Sequence, residues 1–213
     1  VSTSTLRRIS AATAASSAIS TVVEPTLPEV RNGGDILVHL QFESAPAWAA
    51  ARATIDQAMS SPAIDHIDAV EYVGPVVEGA SGRRCAVRPA TIYRTLLLRV
   101  DDDASPADRQ RFEHATLQMP AHISAIQAWQ LSPVIHREGR VRWTHVWEQE
   151  FADLDGLIGD YMFHPVHWGF VDRFFDPESP DQLIRDRVCH SFCGISAPVI
   201  GTPAVTAAGG AIL

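Results

Sequence analysis

The chain has 213 residues, 46% of them hydrophobic, and a formal net charge of -8. That is enough apolar material to bury a core as one large domain or two small ones, and the acidic balance lacks the basic face that neutralises phosphates, so nucleic acid is not an expected partner. All 17 cationic side chains are arginine, which excludes lysine Schiff-base chemistry, lysine-anchored pyridoxal phosphate and a P-loop lysine.

Residues 1–34 are rich in Ala, Ser and Thr. The pair Arg7-Arg8 precedes a run too polar for a signal-peptide core, and the segment reads as a flexible N-terminal arm. From 35 to 90 the pattern is a β-α-β half-repeat: Asp35 to Phe42 as strand, Pro46 to Met59 as helix, Ile67 to Val77 as strand. The glycines Gly33, Gly34, Gly79 and Gly82 fit linkers, with no phosphate-binding loop among them.

The pattern then recurs, with Tyr93 to Val100 as strand, Pro106 to about Gln118 as helix and Ala125 to Ile135 as strand. The punctuation recurs too, Pro62-Ala63 answering to Pro120-Ala121 and Pro75-Val76 to Pro133-Val134. Ser105 before Pro106 supplies an N-cap and a first helical residue. The acidic run Asp101-Asp102-Asp103 reads as a solvated turn between strand and helix.

A third unit follows: Arg142 to Phe151 as strand, a longer helix from about Asp153, and Arg185 to Phe192 as strand. Residues 91–193 thus form one ferredoxin-like domain, and the fold class is α+β, an antiparallel sheet with helices on one face. Residues 194–213 show neither strand alternation nor a capped helix and read as a flexible tail, without the roughly 18 consecutive apolar residues of a membrane span. Cys85, Cys189 and Cys193 match no zinc pattern and read as free thiols of a reducing cytoplasm.

The chemistry concentrates in Asp160-Tyr161-Met162-Phe163-His164-Pro165-Val166-His167-Trp168-Gly169-Phe170. Pro165 has no N–H for the carbonyl of Tyr161 and pushes His164 out of the α region, so the helix should kink or restart here. Tyr161 and His167 would then flank one bend and face one pocket. A neutral imidazole suits removal of a proton from a carbon between two carbonyls, and a phenol can hold the developing enolate oxygen. Phe163, Trp168, Phe170, Trp143 and Trp147 could wall an apolar pocket, although aromatics at such spacing are more often core. His164 fits a cap of the kink as well as a pocket residue, and His145, alternating with Trp143 and Trp147, fits a core histidine as well as a pocket one. His164, His167 and His145 lack a carboxylate or thiol in register, so no metal is expected, and no haem-attachment motif is present.

The first strand YRTLLLRV, the strand with Trp143-Thr144-His145 and the helix with His164-Pro165-Val166-His167 together resemble the stress-responsive dimeric α/β-barrel (Dabb) family. Within it, the motif is similar to that of polyketide cyclases of the olivetolic acid cyclase type. The resemblance implies a homodimer in which ferredoxin-like units pair sheet to sheet around a ligand, the N-terminal half-repeat either extending or capping the barrel. It implies a cofactor-independent cyclase or isomerase, with His167 as general base, Tyr161 on the carbonyl or enolate oxygen, and His145 lining the cavity. The departure lies in the first strand, where Arg94 stands in place of a pocket histidine. The alternative is a non-catalytic homodimer that binds a small hydrophobic ligand.

Overall fold

In a computed structural model, residues 3–201 and 209–212 are described, apart from positions 31, 78 and 187. Part of the C-terminal tail, residues 202–208, and position 187 of the last expected strand therefore lie outside the described residues.

The strand, helix and strand expected after residue 35 are present as β2 (Ile36–Gln41), α2 (Ala45–Met59) and β3 (Ala69–Val73), the last ending short of Val77. Ser44 caps α2 by accepting from the Ala47 amide, which satisfies one orphan donor of the first turn. The segment expected to be a flexible arm instead carries α1 (Thr3–Ala14) and β1 (Ser20–Pro25). Its order comes from packing: Ile9 is buried against Val38, Leu40 and Ile55, and β1 pairs antiparallel with β2. The tail is corrected likewise, because Val199 and Ile200 are buried and residues 209–212 form a strand.

A short strand, β4 (Ser81–Arg83), leads into β5 (Ile92–Leu98), α3 (Pro106–His122), β6 (Ile126–Glu138), β7 (His145–Phe151) and β8 (Cys189–Gly194). The last strand of the chain, β9 (Gly209–Ile212), inserts between β2 and β3. Helix α3 begins as expected, Ser105 accepting from the Asp108 amide ahead of Pro106. It runs past Gln118 because Pro120 falls in the last turn, where one missing donor does not stop the helix, and the Pro120 carbonyl is taken by Arg84.

The strand order is β1-β2-β9-β3-β6-β7-β5-β8, with every pairing antiparallel. Strand β6 belongs to both halves, since its first part pairs with β4 and β7 and its last part with β3. At the far ends the Leu27 amide donates to the Phe192 carbonyl (3.0 Å), which brings β8 back to the β1 side. One chain thus lays the two halves of a nine-stranded sheet face to face, β1-β2-β9-β3 on one side and β6-β7-β5-β8 on the other, with β4 beside β6. The strands that the half-repeat lacks come from β1 and β9, not from a second subunit.

Strand alternation divides the side chains among three apolar layers. Val38 and Leu40 turn outward to α1 and α2. Ile92, Leu96, Trp147 and Phe151 turn outward on the other sheet, toward Phe112 and Met119 of α3. Between the sheets lie Val22, Leu37, Tyr93 and Cys193, and beside them Val70, Tyr72, Leu97 and Val146.

This inner layer also contains a buried polar chain. Tyr93 donates to Glu148 (2.7 Å), His39 lies 3.0 Å from the Tyr72 hydroxyl, and Glu150 accepts from the amides of Val199 (2.8 Å) and Ile200 (2.7 Å). Arg83 pairs with Glu150 from the rim (2.8 Å) and donates to the Ile200 carbonyl. The C-terminal segment is thereby pinned into the mouth of the barrel.

Candidate active site

The segment around Pro165 restarts its helix as predicted, but in wide turns. Gly156–Tyr161 and His167–Val171 are π-helical, followed by a 3-10 turn at Asp172–Phe174. Such widened turns leave side chains out of ordinary α register, and they recur at functional sites. At the break the His164 ring accepts from the Val166 amide (3.2 Å) and the His164 carbonyl accepts from the His167 amide (2.9 Å). His164 therefore caps the second piece and does not line the cavity.

Between this segment, α3 and the outward face of β5, β7 and β8 is a pocket of about 600 Å³. That volume lies within the range of small-molecule sites. Of the residues predicted for it, Tyr161, His167, Arg94, Trp147 and Trp168 line it. Five do not. His145 is buried against Phe112 and Glu113 (3.1 Å) and next to the Thr144 hydroxyl (2.8 Å), so it is a satisfied core histidine. Trp143 precedes its strand and packs between the sheets with Val70 and Tyr72, on the opposite face from Trp147. Phe163 is 79% exposed, because the restart at Pro165 turns it outward. Phe170 stacks under Arg173 at the surface, and His164 caps the kink.

Arg94 organises the floor. Its Nε–H donates to His190 Nε2 (2.9 Å), and Nη1 donates to Gln149 and to the Tyr161 hydroxyl (3.3 Å). The guanidinium also lies 5.1 Å above the Tyr161 ring, a distance at which ring and cation attract. Tyr161 meets Phe151 edge-on on one side and His167 on the other, with ring centroids 4.6 Å apart for the latter pair. Since Arg94 donates to Tyr161, the phenolic proton is left to point elsewhere.

Both imidazoles of the floor are held neutral. Burial lowers His167 to about 4, with the Arg94 charge as a second cause, and burial lowers His190 to about 2, with Arg94 and His167 adding to it. His167 Nδ1 is buried without a hydrogen bond, 3.8 Å from Asp172 Oδ2. Burial raises Asp172 from its ordinary value.

His190, Gln149 and Asp172 are absent from the predicted set. For His190 the signal was strand alternation, which puts it with Phe192 on the outward face of β8. For Asp172 none exists, because its approach to His167 depends on the wide turns. Among the described residues, no group of three or more His, Cys, Asp or Glu side chains is arranged to hold a metal ion.

The arrangement unites a neutral imidazole, a phenol with a free proton and a buried cation at the end of an apolar pocket. Residues 92–189 match the family model of the Stress responsive A/B Barrel Domain, Dabb. The match includes Arg94, Tyr161 and His167, while His190 of the pocket floor and the first 91 residues lie outside it. Among solved structures the chain is similar to a dimeric ferredoxin-like protein of unknown function from Thermobifida fusca (15% identity, 54% of this chain and 99% of that one, TM-score 0.42). It is also similar to the hydroxynitrile lyase from Passiflora edulis (15%, 53% and 100%, 0.42) and to a Dabb family protein with a ferredoxin-like fold from Mesorhizobium loti (18%, 53% and 100%, 0.36). No curated protein matches. Among the described residues no helix is long and apolar enough to cross a membrane.

Proposed function

We propose that the protein is a cofactor-independent cyclase or isomerase that enolises a polyketide-like β-dicarbonyl substrate and closes it by an intramolecular aldol step. The observation that carries this reading is the contact of Tyr161 with a neutral His167 on the wall of an apolar pocket. His167 Nε2 takes a proton from the carbon between two carbonyls, and the C–H electrons pass into an enolate whose oxygen accepts from the Tyr161 hydroxyl. The enolate carbon attacks a second carbonyl of the same molecule. A C–C bond forms, and the new alkoxide takes back the proton from the His167 imidazolium. No electron leaves the substrate, so no oxidant is required.

Asp172 supports the imidazolium, since its carboxylate is the nearest anion to Nδ1. Leu96, Leu98, Met119, Trp147 and Val171 supply the apolar wall against which a flexible chain folds. In a homodimer, two such barrels would meet through faces other than the sheets, because each sheet is covered within the chain by the other sheet and by its own helices.

The test is proton–deuterium exchange, followed by NMR, at the activated methylene of a panel of β-ketoacyl thioesters. Wild type should accelerate it, His167→Ala should abolish the acceleration, and Tyr161→Phe should reduce it about 10²-fold. A panel that binds without any acceleration would replace catalysis by plain binding of a small hydrophobic ligand.

A further inference from the structure

Arg94 is the only buried arginine among the described residues, at 3% exposure. Eight other arginines, Arg52, Arg83, Arg88, Arg99, Arg111, Arg142, Arg173 and Arg185, pair with carboxylates. Arg94 does not. Its hydrogen-bond partners are an imidazole, an amide and a phenol, all uncharged. A guanidinium stays protonated in proteins, and a buried charge without a counter-charge is costly. Its Nη2 group makes no hydrogen bond among the described residues, yet Arg94 lines the pocket.

From this juxtaposition we infer that the pocket takes a substrate with a permanent carboxylate, received by Arg94 Nη2 beside the Tyr161 hydroxyl. The inference rests on the proposed enolising site and narrows its substrate class to hydrophobic keto acids. A neutral ester or thioester end would leave the guanidinium uncompensated, whereas a carboxylate brings the missing counter-charge and accepts a charge-assisted hydrogen bond from the one nitrogen still free, Nη2. Asp172 and Asp176 also line the pocket, but Arg94 is paired with neither. Carboxylate binding would cancel the Arg94 charge that helps depress His167, leaving burial, Asp172, Tyr161 and His190 to set its basicity. An acidic substrate thereby makes its own base stronger.

The experiment compares octanoate with octanamide by isothermal titration calorimetry against the full chain, wild type and Arg94→Gln. These probes have the same length and differ in charge. Wild type should bind the acid about ten-fold more tightly than the amide, the discrimination expected of a charge-assisted hydrogen bond, and Arg94→Gln should erase the difference. Equal affinities for acid and amide in wild type would overturn the proposal whether or not the variant folds, and so would an acid preference that survives in a folded Arg94→Gln. Because the readout is binding, failure of the methylene-exchange test would leave this result standing, and failure here would leave enolisation of neutral substrates standing.

Discussion

Glu150 has an inaccessible side chain that accepts from two buried amides, Val199 and Ile200, and pairs with Arg83. In Glu150→Ala both amides lose their acceptor, at about 1–3 kcal/mol for each buried donor left unmade. The Arg83 side chain is 28% exposed, so its half of the pair is partly hydrated and adds little. Some of the penalty is relieved when the segment peels into solvent, and the expected net loss is about 3 kcal/mol. Glu150→Gln keeps an acceptor oxygen and should lose about 1 kcal/mol. Urea unfolding followed by tryptophan fluorescence measures both, with an unchanged m-value for the milder variant. Cleavage by a broad-specificity protease near 201 should quicken in Glu150→Ala before global unfolding begins. A stability for Glu150→Ala within 1 kcal/mol of wild type would refute the view that this carboxylate pins the C-terminal segment.

Burial pushes Glu148 up to about 7 from 4.5, Glu150 adding to the rise and the Tyr93 and Tyr72 hydroxyls opposing it. The folded state then holds a proton that the unfolded state releases, so stability is lost as pH rises from about 4.5 to about 7; relative to wild type, Glu148→Gln should gain stability across that window and level off above it, as pH-dependent urea midpoints will show. The lowered His167 and His190, on the other face of the sheet, act in the opposite sense, and the comparison cancels them. With a base lowered to about 4, methylene exchange of a neutral probe should stay flat from pH 8 down to 5 and fall only as His167 protonates, so a fall centred near 6.5 would show a solvated imidazole instead. Gly139 ends β6 at φ +114, and a Cβ there would meet the Ile67 carbonyl oxygen at 2.8 Å, so Gly139→Ala should lower the urea midpoint by the equivalent of about 1–3 kcal/mol.

The elements of the segment that matches the family model were legible because their signals are local. Alternation marks β5 and β7, and Ser105-Pro106 marks the start of α3. The break at Pro165 was legible for the same reason, and with it the meeting of Tyr161 and His167. What escaped depends on distant partners. Nothing near Ile9 announces the cluster of Val38, Leu40 and Ile55 that orders α1, and nothing near Val199 announces Glu150. Alternation assigns Trp143 to one face with His145 and Trp147, but β7 begins only at His145 and strand alternation does not reach back to Trp143. Phe163 lost its expected place because the restart at Pro165 turns it outward, and Phe170 because the wide turn that holds it rotates side chains away from α register.

Strand β9 sits between β2 and β3, which otherwise share no hydrogen bond. During synthesis the ribosome therefore delivers β2 and β3 long before the strand that joins them. Until residues 209–212 clear the exit tunnel, two edges that will end up interior to a sheet stand open, each presenting unpaired amides and carbonyls to whatever strand is near. Closure of this barrel therefore waits on the strand delivered after all the others that form it, and the open edges of β2 and β3 are the places where the folding chain is exposed to wrong pairing until then.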